Sequence, residues 1–418
     1  MKIQIDHIAK IEGHAGFVAD LVGGDVIKAR LNVLEGARLL EGILRGRSFE
    51  EVSSITARIC GVCPVVHTLT SLKAIESAMK IYPSKQTILL RRLMMDGQLL
   101  NSHALHLFFF SLSDFFGEKD DLRLIGKYPE RAKDALLIRE FGNKIIEAIG
   151  GRSIHPLTPQ VGGFKKMPSE EAFKNLAGQI KKVLAATEKM AVFFSHLKYP
   201  DFERRCNFVG LNLPGQYAIC EGIIRVNGEK SMRIADFMPQ IIEARIPGDA
   251  VKRSKWRSEP YMVGALARLN FNAEKLKPRA KKMFSRVKLN LPTQNPFYNI
   301  LAQAIEMIHC AEEAEELIGE ILENGIEEER PSFKIQAGKG FAAMEAPRGT
   351  LFYCYDINDE GMIEDANIIT PTSQNLGRLE ADLKEYLPKL EMKSRKEKEE
   401  KIKMLVRAYD PCLTCATH

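Results

Sequence analysis

The chain has 418 residues, of which 45% are hydrophobic and 27% charged, the balance of a folded globular protein and not of a disordered or fibrous one. Its net charge of +6 is spread over 60 basic and 54 acidic residues, which excludes the concentrated basic surface typical of nucleic-acid binding. Apolar stretches such as Leu105–Leu112 are too short to span a membrane, and the N-terminus lacks the apolar core of a secretory signal. We therefore expect a cytoplasmic protein that binds no nucleic acid and has no membrane span.

The predicted elements begin with a β-sheet. Three stretches alternate apolar and polar residues with the period of half-buried strands, namely Lys2–Ile8, Gly16–Leu21 and Val26–Val33. We expect this N-terminal β portion to cover about residues 1–35 of a single domain that spans residues 1–418.

Helical periodicity dominates the rest of the chain, residues 36–418. Thr87–Phe116 is apolar on most sides, as expected for a helix inside a bundle, whereas Glu170–Leu197 and Pro296–Glu323 are amphipathic. Asn207–Lys255 and Gln336–Ile357 contain short β-like pieces instead. The predicted fold class is therefore mostly α with small β elements (α+β), built on a large central helical bundle.

Four of the eight cysteines form two C-x-x-C pairs, Cys60/Cys63 and Cys412/Cys415, one near each end of the chain. This spacing lets two thiolates converge on one metal, although a single pair is typical of both zinc sites and thiol redox motifs. Four thiolates together suit zinc, nickel, iron or a cluster. Structural zinc is one alternative, but its cysteine pairs usually lie close together in sequence. Pairs so far apart predict a metal site buried at the centre of the bundle.

The residues around the two pairs carry a more specific pattern. Residues 58–67 read RICGVCPVVH and residues 410–418 read DPCLTCATH. These stretches resemble the two signature motifs of the large, catalytic subunit of nickel–iron hydrogenases. Further segments resemble that family in the same order along the chain: Ile11–His14, Glu41 with Gly46-Arg47, Ser102-His103 with Asp114, Gly151-Arg152 with His155-Pro156 and Gly162-Gly163, Glu345–Gly349 and Pro371–Asn375.

The resemblance implies an oxidoreductase that cleaves H2 reversibly and heterolytically into protons and electrons. In this family four cysteines hold nickel, and the second cysteine of each pair also binds an iron that carries carbon monoxide and cyanide. The resemblance therefore implies that Cys60 and Cys412 are terminal nickel ligands, and that Cys63 and Cys415 bridge nickel and iron.

The resemblance also assigns roles close to the metals. Glu12 matches a carboxylate that carries protons after Cys412, the first acceptor, which is general acid–base work. Arg348 matches an arginine poised over the metals, where a guanidinium can hydrogen-bond cyanide and polarise hydrogen. Asp410 and Asp114 match the two carboxylates that pair with that arginine.

Three surrounding residues complete the implied metal environment. Thr372 matches a hydroxyl that hydrogen-bonds the other cyanide, and Pro347 precedes the arginine in the same segment. His67 matches a histidine that donates to a bridging sulfur, since outer partners of this kind orient metal ligands.

A second metal is implied near the end of the chain. Glu41 and His418 match the protein ligands of a structural magnesium or similar hard ion, with the backbone carbonyl of Ile368 as the third ligand. Oxygen ligands and retained waters suit magnesium.

Two departures from the family pattern are visible. The family's R-G-x-E reads Arg38-Leu39-Leu40-Glu41 here, so a bulky leucine replaces glycine. Phe109 and Ser111 stand where many members carry histidines, and these side chains cannot relay protons as imidazole does. The second departure weakens the case for a proton pathway along this helix.

The expected partners follow from what the chain lacks. It has no G-x-G-x-x-G after a predicted strand and no further cysteine groups with iron–sulfur spacing. Electrons must therefore leave through an iron–sulfur small subunit. The motif wording is most similar to cytoplasmic, multisubunit hydrogenases, which implies flavin- and NAD(P)-reducing iron–sulfur subunits and a soluble carrier.

The family resemblance also implies a maturation protease, which removes a short extension after the motif histidine once nickel is inserted. Because the sequence stops at His418, we expect it to represent the processed form. The alternative is a non-catalytic relative, the complex I subunit that shapes a quinone pocket and has lost the cysteines. The four cysteines, Glu12, Arg348 and His418 argue against that alternative.

Overall fold

Long helices form the centre of the molecule, and small β-sheets lie around them. The computed structural model describes residues 2–23, 25–118, 120–287, 289–390 and 393–418. Each helix within these ranges is either too short or too polar to cross a lipid bilayer. The described helices are α1 (Leu40–Leu44), α2 (Phe49–Thr56), α3 (Pro64–Met79), α4 (Lys85–Ala104), α5 (Leu112–Phe116), α6 (Asp121–Lys127), α7 (Pro129–Gly150), α8 (Glu170–Ser195), α9 (Ile234–Phe237), α10 (Ala265–Asn272), α11 (Pro278–Arg286), α12 (Tyr298–Asn324), α13 (Pro371–Tyr386), α14 (Arg395–Ala408) and α15 (Leu413–Ala416).

The strands pair locally into small sheets, and the predicted mostly α fold with small β elements is confirmed. The described strands are β1 (Lys2–Ile5), β2 (Ala15–Val22), β3 (Asp25–Val33), β4 (Pro159–Gln160), β5 (Gly163–Phe164), β6 (Asn207–Asn212), β7 (Ile223–Val226), β8 (Ile241–Arg245), β9 (Lys252–Trp256), β10 (Tyr261–Met262), β11 (Gly338–Ala346), β12 (Gly349–Ile357) and β13 (Ile363–Ile369). Their order in the sheets is β1-β2-β3, β10-β6-β7 and β11-β12-β13, with the two-stranded pairs β4-β5 and β8-β9. Neighbouring strands are antiparallel except β10 and β6.

The central bundle consists of α4, α7, α8 and α12. α4 packs against α7 and α12, and α8 packs against the same two helices. The amphipathic predictions correspond to α8 and α12. α12 is buried on every side over residues 299–314, which brings polar residues such as Gln303 and Glu306 into the core. Buried polar groups require partners, so the bundle centre contains a hydrogen-bond network as well as apolar packing.

The helix predicted over Thr87–Phe116 is present but changes its winding. α4 ends at Ala104, a π-helical segment follows over Leu105–Ser111, and α5 resumes the α-helix up to Phe116. Gly117, with φ 63°, ends it in the left-handed conformation that glycine adopts without steric cost. π segments shift the faces that later residues present, and they occur frequently at functional sites.

The N-terminal sheet matches its prediction and shapes the loop that carries Glu12. β1 and β2 are antiparallel, with Ile3 opposite Ala19. Ile8 N–H donates to the carbonyl of Ala15 (2.8 Å), which closes the loop between these strands. The assignment of residues 1–418 to one domain stays a prediction.

Candidate metal centre

The two cysteine pairs meet in the interior of the molecule. Cys63 precedes the first turn of α3, which starts at Pro64, and Cys412 precedes α15. The four sulfurs lie within 4.8 Å of one another and form the only cluster of three or more potential metal-binding side chains among the described residues. Sγ–Sγ distances are 3.4 Å for Cys60–Cys412, 3.2 Å for Cys63–Cys415 and 3.1 Å for Cys412–Cys415. These exceed the ~2.05 Å of a disulfide, so the sulfurs are free to bind metal.

Backbone contacts bring the two distant segments together. The N–H groups of Val62 and Cys63 each donate to Cys60 Sγ at 3.3 Å, which tightens the first pair into a turn. Arg38 links this turn to the second pair, because its guanidinium donates to the carbonyls of Ile59 (2.7 Å) and Thr414.

The leucine that replaces the family's glycine also lies beside this link. Leu39 has φ 51° and ψ 37°, the left-handed conformation, which a side chain other than glycine's adopts at a cost. The glycine of the pattern therefore corresponds to a backbone requirement that this chain meets with strain.

The chemistry of the four sulfurs fits a metal centre. All are at most 3% exposed, and burial raises the pKa of the Cys63 and Cys415 thiols well above its ordinary value. Four buried thiolates need a compensating cation, and a bound metal supplies it as the thiols release their protons. Nickel and iron are among the metals that such a set prefers.

His67 lies where the sequence places a donor to the second cysteine pair. Its Nε2 is 3.6 Å from Cys415 Sγ, and its Nδ1 is 2.7 Å from the Tyr353 hydroxyl. Burial lowers the pKa of His67 to about 3, so the ring is neutral and carries one N–H. If Tyr353 donates to Nδ1, the remaining proton on Nε2 points at the sulfur.

Glu12 touches the cysteine cluster directly. The Cys412 thiol donates to Glu12 Oε2 at 3.0 Å, and the Thr414 hydroxyl donates to Oε1 at 2.6 Å. The Glu12 carbonyl also accepts the N–H of Leu413 (3.0 Å), which fixes the loop on the C-terminal segment. Burial, with the nearby Cys412 sulfur, raises the pKa of Glu12 to about 7.

Arg348 lies beside the cluster and is held by two side chains. It donates to Asp410 Oδ1 and to Ser102 Oγ, both at 3.0 Å. Burial opposes its charge, but Asp410 and the neighbouring sulfurs outweigh burial, and the pKa of Arg348 lies well above its ordinary value. Its buried Nε has no hydrogen-bond partner among the described residues, so this N–H is available to a ligand.

The prediction that Asp114 pairs with Arg348 is wrong. Asp114 lies on α5, beyond the π segment, and its carboxylate accepts the guanidinium of Arg407 instead. Ser102, on α4, and not Asp114, is the second side chain that Arg348 contacts. A changed helical winding cannot be read from apolar periodicity, which explains the error.

Two further residues near Arg348, Gln303 and His106, lie outside the sequence motifs and were not predicted. Gln303 Nε2 donates to Asp410 Oδ2 (3.1 Å), and His106 Nδ1 lies 2.5 Å from Gln303 Oε1. Both are buried polar residues within apolar helices. That contrast is the sequence signal that could have identified them.

Thr372 contacts the cluster, and Pro347 lies in the turn that carries Arg348. Thr372, in the first turn of α13, accepts the N–H of Cys412 at 3.0 Å, which leaves its hydroxyl proton free to donate. Pro347 lies between β11 and β12, and its carbonyl accepts a hydrogen bond from Arg268 (3.3 Å).

The predicted ligands of the hard ion also converge. His418 Nε2 lies 2.7 Å from the Ile368 carbonyl oxygen and 3.9 Å from Glu41 Oε1, while Nδ1 lies 2.7 Å from the Cys415 carbonyl oxygen. A neutral imidazole has one N–H, so one carbonyl faces a nitrogen lone pair, a pairing that a bound cation resolves. Lys252 Nζ also lies 3.0 Å from Glu41 Oε2, so an ammonium already contacts this carboxylate.

Comparison with known proteins adds an independent line of evidence. The family model for nickel-dependent hydrogenases matches residues 38–124 and 249–418. The alpha chain of sulfhydrogenase 1 from Pyrococcus furiosus is 32% identical over 425 residues, covering all of this chain and 98% of the relative. A component of the F420-non-reducing hydrogenase from Methanothermobacter thermautotrophicus is 31% identical over 459 residues, covering all of this chain and 95% of the relative.

A solved structure agrees with the sequence relatives. The crystal structure of an NAD+-reducing NiFe hydrogenase in the H2-reduced state is similar to this chain with a TM-score of 0.90 and 27% identity. The match covers all of this chain and 99% of the other. The similarity therefore includes the bundle, the small sheets and both cysteine segments.

Proposed function

Because the chain belongs to the nickel-dependent hydrogenase family, as a catalytic large subunit, we propose that Cys60, Cys63, Cys412 and Cys415 hold its nickel–iron centre. The observation that carries this assignment is the set of four buried, unbridged sulfurs within 4.8 Å of one another. Cys60 and Cys412 would hold nickel alone, and Cys63 and Cys415 would hold both nickel and iron. When bound, this centre supplies the redox chemistry that splits H2.

The protein's own residues then move the proton. Cys412 Sγ holds a proton beside Glu12 Oε2, at the 3.0 Å of a direct hydrogen bond, so transfer between them needs no intervening water. Thr414 holds the Glu12 carboxylate in place through its hydroxyl and its N–H. Glu12 is therefore the next proton carrier, and its partial exposure leaves a way out toward solvent.

The residues beside the cluster suit an iron that carries carbon monoxide and cyanide. The free Nε–H of Arg348 and the hydroxyl proton of Thr372 are available to donate to cyanide nitrogens. Asp410 keeps the Arg348 charge fixed, which is electrostatic preorganisation of the kind that stabilises charge during a reaction.

A magnesium or similar hard ion is proposed at Glu41, the Ile368 carbonyl and His418. The lone-pair conflict at His418 supports it, since an ion between imidazole and carbonyl removes the repulsion. Such an ion would anchor the segment that carries Cys412 and Cys415. We propose that a maturation protease acts before this segment reaches its buried position.

The electron acceptors are proposed from the relatives. Among the described residues the four cysteines are the only cluster of thiols that could hold a redox metal, so we propose that electrons leave it through a second polypeptide. The similar proteins include an NAD+-reducing enzyme and the alpha chain of a sulfhydrogenase. We propose that the direct partner is an iron–sulfur small subunit, with flavin- and NAD(P)-reducing subunits beyond it, in the cytoplasm. The complex I-like alternative is not favoured, because all four cysteines and Arg348 are present.

The assay uses the protein assembled with its partner subunits under anaerobic conditions. H2-dependent reduction of viologen tests the catalytic subunit, whereas H2-dependent reduction of NAD+ and NADP+ tests the proposed carrier. We expect viologen reduction by the complex and none by a Cys63→Ser complex. A nickel- and iron-loaded complex that fails to reduce viologen would contradict the proposed reaction.

A further inference from the structure

One completely buried arginine has no part in the chemistry proposed above. Arg268, on α10, is 0% exposed. Its Nε and NH2 donate to the two carboxylate oxygens of Glu306, both at 2.6 Å, in the bidentate geometry of a strong charge-assisted pair. Its NH1 donates to Glu345 Oε2 at 3.0 Å.

The same guanidinium also donates hydrogen bonds to the backbone just before Arg348. NH1 donates to the Ala346 carbonyl (3.0 Å) and NH2 to the Pro347 carbonyl (3.3 Å). Ala346 is the last residue of β11 and Gly349 the first of β12, so these carbonyls belong to the tight turn that presents Arg348.

The turn is enclosed on its other side too. Gly349 has φ 135°, and a Cβ there would lie 2.3 Å from Val263 Cγ2, so the backbone packs directly against Val263. Asn375 Nδ2 donates to the Arg348 carbonyl at 3.4 Å. Because the turn has fixed neighbours on both sides, its backbone sets the direction in which the Arg348 side chain points.

Arg268 is in turn held by its carboxylates. Glu306 also accepts hydrogen bonds from His103 Nε2 (2.6 Å) and the Tyr217 hydroxyl (2.8 Å). Glu345 Oε1 accepts the Thr350 hydroxyl (2.8 Å). These contacts fix the orientation of the guanidinium, and its hydrogen bonds to the two carbonyls fix the turn in the same way.

We propose that Arg268 is a positioning residue, which holds the Ala346–Pro347 turn so that Arg348 reaches both Ser102 and Asp410 beside the cysteine cluster. Arg268 acts through Arg348 and touches no reacting group. The inference rests on the proposed function, because it assigns Arg348 a role at the metal centre.

Arg91 provides a matched control. It is buried, donates to both oxygens of Glu76 (2.8 and 2.7 Å) and donates to the Gln160 carbonyl (3.0 Å). Arg91→Lys therefore removes the same kind of bidentate guanidinium–carboxylate pair, together with a hydrogen bond to a backbone carbonyl. Arg91 contacts neither Arg348 nor the cysteines. A purely structural effect of losing a buried guanidinium should appear equally in this variant.

The experiment compares Arg268→Lys and Arg91→Lys in the unsubstituted enzyme and in an Arg348→Lys background, each assembled with its partners. Lysine keeps the charge but cannot reach two carbonyls and two carboxylates at once. We expect Arg268→Lys alone to lower H2 oxidation at least tenfold with nickel and iron retained. In the Arg348→Lys background it should lower the rate less than about twofold, because residues that act through one another are not additive. Arg91→Lys should have the same factor in both backgrounds.

Infrared spectra supply a second readout, because a change in protein stability alone does not shift the cyanide bands. The cyanide bands of Arg268→Lys should shift in the direction seen for Arg348→Lys, and those of Arg91→Lys should not shift. Additive rate effects of Arg268→Lys and Arg348→Lys, or unshifted bands, would overturn the inference. Unsubstituted enzyme with no such bands would instead contradict the proposed iron ligands.

A second variant covers the case in which Arg268→Lys does not fold. Glu306→Gln keeps the size of the side chain and weakens the grip on Arg268. We expect a smaller rate loss, of at least threefold, that also disappears in the Arg348→Lys background. A loss that persists there would overturn the inference.

Discussion

Glu12 and Arg348 both lie beside the cysteine cluster, but the protein holds them in opposite ways. Glu12 is half-buried on a loop, contacts the Cys412 sulfur, and has a pKa that burial raises to about 7. Arg348 is 4% exposed and fixed by Ser102 and Asp410, and its pKa lies well above the ordinary value. One residue can gain and lose a proton near neutral pH, whereas the other keeps a permanent positive charge. This difference suits Glu12 to the proton transfer and Arg348 to the electrostatic stabilisation that we propose at this site.

The largest effect should come from removing the structure that both residues share. Cys415→Ser takes away the ligand that we propose nickel and iron share, so the centre should not assemble and H2 activity should be lost. Metal analysis of the purified variant measures this directly. Cys354→Ser, a buried cysteine outside the cluster, is the control and should keep both metals. Full activity with stoichiometric nickel and iron in Cys415→Ser would contradict the ligand assignment.

Substituting the permanent charge should give the next largest effect. Arg348→Lys keeps the charge but loses the planar fork that reaches Ser102 and Asp410 together, and a lost preorganised donor typically costs about 10²-fold in rate. Turnover and metal content are measured on the same preparation. Near-normal turnover would remove Arg348 from the mechanism.

The proton carrier should respond in a different assay. Glu12→Gln keeps the shape but cannot carry a proton, so hydrogen–deuterium exchange with water should slow by at least tenfold. Para/ortho hydrogen conversion should change less, because it needs no proton to leave the site. Glu35→Gln is a neighbouring control, since Glu35 accepts the His14 N–H on the same loop (2.9 Å). Equal exchange rates in Glu12→Gln and the unsubstituted enzyme would refute the relay.

The smallest effect is expected for Asp114, and comparing it with Asp410 tests which of the two carboxylates supports Arg348. Asp114→Asn should change turnover less than about twofold, because Asp114 pairs with Arg407. Asp410→Asn should reduce turnover at least fivefold, since it weakens the pair with Arg348. Turnover at saturating H2 compares the two variants. Similar losses in both would restore Asp114 to the site.

Candidate site residues could be predicted from the sequence where they lie in short, contiguous motifs. The cysteine pairs, Glu12, Arg348 and His418 lie in contiguous motifs, and the structure brings each next to its expected neighbours. The roles of these residues stay predictions until the variants are measured.

Other parts of the site depend on geometry that no local pattern contains. Ser102, on α4, contacts Arg348, whereas Asp114, beyond the π segment, contacts Arg407. Arg268 and Gln303 are isolated polar residues in buried helices, and their partners lie 38 or more positions away along the chain. Hydrogen-bond partners this distant become visible only once the helices are packed.

The most direct test of the central claim is infrared spectroscopy combined with metal analysis of the purified protein. We expect nickel and iron in equal amounts, one of each per chain, and absorption bands of carbon monoxide and cyanide that vanish in Cys63→Ser. A protein that contains zinc alone and shows no such bands would mean that the four cysteines form a structural site and not a hydrogen-cleaving one.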